Sequence, residues 1–248
     1  MIYVLIPVFN RLKLTKSCIE SIKGNEKNLD LRIILVDDGS TDGTTEWVRD
    51  TYPEITILQG TGSLFWGGAI HYGVEYILKK CDSNDYILLV NNDVLLAENT
   101  IRELVNFSEE KNRQVVVGSL SLDSSNKEKV IKSGTVVKSW FLNRTSHVFI
   151  GQKIQNIYDK ESKEVDFLTG RCLLHPVEVF LIAGNYDSYS FRHYGGDDEF
   201  SMRVKKFGFK TYVCTSAIVY MQKTSPEKLR FFATFFSSLI FPRTSVII

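Results

Sequence analysis

"YILLVNNDVLL" (86–96) decides the fold. Ile87, Leu88, Leu89 and Val90 are too uniformly aliphatic for a strand with one wet face, and they read as a strand buried on both sides. The run stops at Asn91, Asn92 and Asp93 and resumes at Val94, Leu95 and Leu96. Buried chain does not take on three polar side chains without partners for them, because each unpaired polar group costs free energy. They cap a turn, or they sit at the rim of a site.

The same grammar recurs along the chain. "IYVLIPV" (2–8) reads as a strand, and "RLKLTKSCIESIKG" (11–24) has helical apolar spacing with Gly24 as its stop. "LRIILVDDGS" (31–40) is a second apolar strand ending in carboxylates, and Ser40 and Thr41 offer caps for the helix that follows. "ITILQG" (55–60) is a third strand, followed by a Gly- and Trp-containing turn and a helix to about Lys80. After "YILLVNN" comes a helix over 97–111. Alternation of apolar strands with helices predicts an α/β fold with a mostly parallel, Rossmann-like central sheet flanked by helices. "QVVVGSL", "VIKSGTVV" and "KTYVCTSAIVYM" are further strand candidates, and the polar stretch from about 120 to 165 reads as a surface insertion. One domain over 1–225 is the economical division, with 226–248 as a separate C-terminal apolar segment.

In open parallel sheets, ligands bind beyond the carboxyl ends of the strands. Polar residues collect there: Pro7 and Asn10 after the first strand, Asp37 and Asp38 after the second, Asn91 to Asp93 after the fourth.

Bulk composition narrows the partners. A formal charge of +1 over 248 residues gives no electrostatic case for nucleic acid. Cys18, Cys81, Cys172 and Cys214 are scattered singly, which fits free thiols in a reducing cytoplasm. "MIYVLIPVFN" has no basic leader, so the N-x-[ST] matches at Asn106 and Asn143 read as chance. No segment reaches the roughly 20 apolar residues that span a bilayer. "LRFFATFFSSLIF" comes closest: Ser225 and Pro226 start a helix whose Phe231, Phe232, Phe235, Phe236, Leu239 and Ile240 form a broad apolar stripe. That helix packs on the domain, lies on a membrane as a peripheral contact, or is buried in a homodimer.

Four stretches hold groups that could do chemistry. In "VDDGSTDGT" (36–44), Asp37 and Asp38 could accept hydrogen bonds from a base or ribose, though taken alone an Asx-type turn leading into a helix is the simpler reading. In "NNDV", Asp93 is a candidate ligand for a hard divalent cation, with Asn91 and Asn92 holding a sugar or the turn. In "HYGGDDEFSMRVKKFG" (193–208), Asp197, Asp198 and Glu199 open a helix, where the dipole favours acids. Their number exceeds what capping needs, and one could act as general base towards a hydroxyl. In "GTGSLFWGGAIHYG" (60–73), Gly67 and Gly68 could present N–H groups to a diphosphate. Phe65 stands where a dinucleotide fingerprint needs its third glycine, which removes a dehydrogenase.

Taken in order, these stretches resemble family 2 glycosyltransferases of the GT-A fold. "IPVFNR" is similar to that family's opening strand and turn, "VDDGSTDGT" to its nucleotide-binding signature, and "LLVNNDVLL" to the D-x-D version of rhamnosyl- and galactofuranosyltransferase-like members. "SLFWGGAIHYGV", "FLTGRCLLHPVEVF", "GNYD" and "GGDDEFSMRVKKFGF" follow in the family's order. The resemblance implies inverting transfer of a sugar from a nucleotide-diphosphate donor of UDP or dTDP type, with Mg²⁺ or Mn²⁺, to a glycan or lipid-linked acceptor in polysaccharide synthesis. Carried over by position, Pro7, Asn10, Asp37, Asp38, Gly67, Gly68, Asn91 and Asn92 would face the donor and Asp93 the metal. Thr169, Gly170 and Arg171 would face the acceptor. Asp197 would be the base and Glu199 the last acidic position, with Asp198 the rival base if the register slips by one.

Two departures stand out. Asn91 replaces the first Asp of D-x-D, and Tyr220, Met221 and Gln222 occupy the place of a frequent histidine. A non-catalytic nucleotide-sugar-binding scaffold therefore stays open. A sugar-1-phosphate nucleotidyltransferase is the weaker rival, since "PVFNRLKLTK" offers no glycine for a phosphate loop.

Overall fold

Alternate residues of the first strand, β1 (Ile2–Val8), enter two different cores: Tyr3 and Leu5 one, and Ile2, Val4, Ile6 and Val8 the other. A period of two with both faces apolar places β1 inside a sheet covered on both sides. The computed structural model describes residues 1–222 apart from 26, 27, 143 and 159; the helix expected over 226–248 lies outside the described residues.

The first half follows the expected alternation: α1 (Leu12–Lys23), β2 (Leu31–Asp37), α2 (Thr44–Thr51), β3 (Thr56–Gln59), α3 (Phe65–Leu78), β4 (Tyr86–Val90), β5 (Val94–Leu96) and α4 (Thr100–Glu110). The second half adds β6 (Val115–Asp123), β7 (Asn126–Lys132), β8 (Gly134–Ser139), β9 (Arg144–His147), β10 (Lys163–Glu164), β11 (Phe167–Leu168) and β12 (Cys172–Pro176). Two helices, α5 (Val177–Ala183) and α6 (Gly196–Lys206), precede the long β13 (Lys210–Met221).

The main sheet runs β10-β13-β6-β12-β4-β1-β2-β3. β3, β2, β1 and β4 are parallel, and β13 is parallel to β6. β12 lies between β4 and β6 and runs antiparallel to both, so the sheet is mixed rather than mostly parallel. Periodicity could not reveal this: all five residues of "CLLHP" are buried, a pattern that carries no strand direction. The 120–165 stretch is also more ordered than an irregular insertion. It contributes β7 and β10 to the main sheet, and β8 and β9, which form a separate three-stranded sheet with β11.

Helices α1, α2 and α4 supply Ile19, Val48 and Leu104 to one core, while α3, α5 and α6 supply Ile70, Phe180 and Phe200 to the other. α3 packs so closely on β1 that a Cβ on Gly73 would stand 2.2 Å from a Leu5 methyl. Pro7 is tolerated inside the sheet because the pairing of β1 with β4 ends at Leu5, before the missing N–H would matter. α2 is capped by neither Ser40 nor Thr41. Its N-cap is Gly43, in the left-handed region at φ +82°, and Asp42 Oδ1 accepts from the Thr44 hydroxyl at 2.6 Å.

Candidate active site

Three loops meet at the carboxyl ends of β1, β2 and β4. Asn10 Oδ1 accepts the Thr41 N–H at 2.8 Å, and Asp42 Oδ2 accepts the Leu12 N–H at 2.8 Å, tying the turn after β1 to the turn after β2. Asp37 has no exposed surface. Its Oδ1 accepts the Ser40 N–H at 2.9 Å and its Oδ2 the Thr45 hydroxyl, so it builds the turn and offers nothing to a ligand. Asp38 reaches forward instead, accepting the N–H groups of Gly62 at 2.7 Å and Phe65 at 3.0 Å. It thereby folds the 60–65 loop over the sheet edge. Phe65 sits at φ +55°, an uncommon conformation for a bulky residue, and its ring lies 3.9 Å from that of His193.

Next to Phe65, Trp66 joins the three acidic stretches. Its indole N–H donates to Asn91 Oδ1 at 2.9 Å. Its ring backs on Gly170 so tightly that a Cβ there would lie 2.8 Å from the indole, and a Cβ on Gly196 would lie 3.5 Å from it. Gly170 in turn donates its N–H to Asp197 Oδ2 at 2.7 Å. Asp38, Asn91 and Asp197, far apart in sequence, thus line one continuous set of contacts.

Asp93 lies between two guanidinium groups, 3.4 Å from Arg11 and 3.8 Å from Arg171. Arg171 was expected on the acceptor side. Its side chain stands beside Asp93, and its carbonyl accepts the Asn91 N–H at 2.9 Å. Asn92 points away from the rim: it is buried, and its amide donates to Thr15 of α1 at 3.1 Å. Gln222 follows β13 and donates its N–H to the Asp93 carbonyl at 2.8 Å, so the position where a histidine was looked for does fall beside Asp93.

The glycine pair does not form an anion cradle. Gly67 donates its N–H to the Arg192 carbonyl at 2.9 Å, and Gly68 to the Leu64 carbonyl at 3.0 Å, so both donors are used. A Cβ on Gly67 would lie 2.3 Å from the Phe191 carbonyl oxygen. The glycine permits a close approach of α3 to the 191–195 loop.

The three acids of α6 have separate fates. Glu199 holds Arg203 through two hydrogen bonds, at 2.7 and 2.8 Å, and Arg203 also donates to the Asn185 carbonyl at 2.9 Å. Through Arg203, Glu199 joins α6 to the 183–185 turn. Asp198 is exposed, and partial desolvation, with the neighbouring Asp197 charge, raises its pKa. Asp197 is the acid that touches the Trp66–Gly170 contact. Thr169 donates its hydroxyl to the Ser133 carbonyl at 3.1 Å, leaving Gly170 as the closest approach of that loop to Asp197. The buried His175 is no rival base, since burial pushes its pKa down to about 3.

In the Asn91–Asp93 turn, Asp93 is the carboxylate that could take a divalent cation. Asp93 Oδ1 is buried and has no hydrogen-bond partner, which suits a hard cation's oxygen preference. Among the described residues no group of three or more acidic, histidine or cysteine side chains surrounds a metal position. The residues fit a cation whose other ligands come from a bound diphosphate.

Arg11 and Trp66 were missed as individual site residues. Arg11 follows directly on the first strand and turn, and Trp66 precedes the glycine pair; adjacency to those motifs was the available signal.

Residues 3–170 match the sequence profile of Glycosyl transferase family 2. This chain belongs to that family. The "Glycosyltransferase GlyG" of Streptococcus pneumoniae serotype 4 is 31% identical over 125 residues, 48% of this chain and 38% of GlyG. The "N-acetylglucosaminyl-diphospho-decaprenol L-rhamnosyltransferase" of Mycobacterium tuberculosis is 23% identical over 208 residues, 77% of this chain and 66% of that one. The chain therefore spans less than two thirds of the length of either relative. The solved structure of "GalNAc-T7 with UDP, GalNAc and Mn2+" superposes with a TM-score of 0.68 at 14% identity, covering 98% of this chain and 51% of that one. That likeness shows the fold of this family 2 chain to be GT-A. Among the described residues no helix is long and apolar enough to cross a membrane.

Proposed function

We propose that this family 2 chain is an inverting glycosyltransferase. It moves a hexosyl or deoxyhexosyl group from a nucleoside-diphosphate donor of UDP or dTDP type to a hydroxyl of a glycan or lipid-linked acceptor, on the cytoplasmic side of a membrane. The observation that carries the reading is the Trp66-centred contact set: the Asp38 loop, the Asn91–Asp93 turn and the Gly170–Asp197 pair adjoin one indole.

The nucleoside lies against Asp38 and the loop it folds, with Asn10 and Asp37 supporting that floor from behind. The diphosphate faces Arg11 and Arg171. Two guanidinium forks suit phosphate oxygens, and their positive charge opposes the charge that grows on the departing nucleoside diphosphate. Asp93 holds both arginines in place and would be the protein ligand of Mg²⁺ or Mn²⁺, which when bound adds Lewis-acid stabilisation to the same oxygens.

Asp197 is the base. The Gly170 N–H fixes one of its oxygens, and the carboxylate takes the proton of the acceptor hydroxyl as that oxygen attacks the anomeric carbon. The bond to the diphosphate oxygen breaks as the new glycosidic bond forms on the opposite face. With no enzyme nucleophile in the scheme, the anomeric centre inverts.

A thermal-shift screen of nucleotide sugars with and without Mn²⁺ tests the donor half of this scheme. A ligand at about 100 times its Kd stabilises by roughly 2.7 kcal/mol, which raises the melting temperature by several degrees. At least one nucleoside diphosphate sugar should do so, and Asp93→Ala should weaken the Mn²⁺-dependent part. A flat response to UDP- and dTDP-sugars alike contradicts the proposal.

A further inference from the structure

The turn joining β8 to β9 carries Trp140, Phe141 and Leu142, which are 66%, 96% and 57% exposed. Three consecutive large apolar side chains standing in water at a hairpin tip contribute little to the core. Among the described residues, of the three only Trp140 has a ring neighbour, Phe167, edge-on at 6.1 Å. Along the chain the segment is basic: between 126 and 153 it has Lys127, Lys129, Lys132, Lys138, Arg144 and Lys153, all exposed, against Glu128. Of these cations, Lys138 and Arg144 lie on the strands beside the tip. Asp166, which accepts the Val137 N–H next to Lys138, is paired with Lys205.

We infer that the 138–144 hairpin is a membrane-contact element that inserts its apolar tip into the headgroup region of an anionic phospholipid bilayer. An indole suits that boundary, having an apolar body and one polar N–H. Lys138 and Arg144 flank the tip on the paired strands, where their cations would meet lipid phosphates. A sugar-stacking platform is less well served: Leu142 has no ring face, and a neutral glycan gains nothing from the lysines.

The hairpin also has a fixed relation to the site. β8 pairs with β11 through Thr135 and Phe167, and Thr169 and Gly170 follow β11 directly. A bilayer docked on the tip is thereby joined through one short strand to the loop that holds Asp197. This deepens the acceptor side of the proposed reaction and rests on that reading only for the claim that the acceptor is lipid-linked. The membrane contact itself stands on the hairpin.

Vesicle co-sedimentation of the full chain tests it, comparing pure phosphatidylcholine with phosphatidylcholine containing phosphatidylglycerol. The protein should partition onto the anionic vesicles and be released by salt. Combined Trp140→Ser, Phe141→Ser and Leu142→Ser should lower partitioning by about tenfold or more with an unchanged melting temperature. Lys138→Glu with Arg144→Glu should remove the preference for phosphatidylglycerol. Trp140→Phe should still bind while losing the vesicle-induced blue shift of tryptophan emission, a readout that does not depend on the serine variant folding. Undiminished partitioning of the serine variant, or an unshifted indole in the wild type, overturns the inference; so does a serine variant that binds vesicles normally and loses only glycan affinity. None of these readouts uses donor or turnover, so failure here is distinct from failure of the transferase reading.

Discussion

The indole N–H of Trp66 donates to Asn91 Oδ1 at 2.9 Å, linking the first turn of α3 to the polar turn after β4. The residue that departs from the family's acidic pattern is therefore not idle. An amide oxygen at 91 accepts the indole without placing a second negative charge beside Asp93, and Asp93 is left to the two arginines.

Trp66→Phe keeps an aromatic ring against Gly170 and removes only the donor. A net hydrogen bond contributes about 0.5–1.5 kcal/mol, so kcat/KM should fall roughly two- to tenfold with little change in melting temperature. Steady-state kinetics of transfer, set beside a melting curve, check this.

Arg171→Ala should weaken donor binding by about ten- to a hundredfold, the range for a hydrogen bond to a charged group. Arg171→Lys should restore only part of it, since a point charge lacks the planar fork. Calorimetric titration with the donor measures both. An effect confined to the acceptor KM would return Arg171 to the acceptor side, where the motif resemblance had placed it.

Glu199→Gln separates scaffold from chemistry. The substitution weakens the two hydrogen bonds to Arg203 and should cost about 1–3 kcal/mol in a urea titration. The folded fraction should keep near-normal turnover, because Glu199 faces Arg203 and not the Asp197 contact.

Acid should uncouple α6 from the small sheet. Burial alone would raise the Asp166 carboxyl, but the Lys205 ammonium and the Val137 N–H outweigh it and hold its pKa below the ordinary value. A lowered folded pKa stabilises above the unfolded value of about 3.9, and that contribution is lost as pH falls through the folded one. Asp166→Asn should thus melt below the wild type at pH 7, with the gap closing towards pH 3. Thermal denaturation at the two pH values is the check.

The sequence made the strand ends legible because aliphatic runs stopping in Asp37–Asp38 and Asn91–Asp93 leave few places for polar groups in a covered sheet. It could not say which way each side chain turns there. Asp37 and Asn92 are as polar as Asp38 and Asp93, yet they spend their groups on Thr45 and Thr15, a choice set by loop geometry. Gly67 read as a phosphate cradle because sequence shows a missing side chain but not what fills its place, here the Phe191 carbonyl. The antiparallel β12 escaped for a related reason: "CLLHP" is short and wholly buried, and direction is written in connectivity rather than pattern.

Asp197→Asn, examined by donor calorimetry and by turnover on the same preparation, tests the central claim most directly. The account predicts donor affinity within about twofold of the wild type and a kcat lower by about 10²-fold or more, the usual size of a general-base contribution. A variant that binds donor and transfers sugar at the wild-type rate would contradict it.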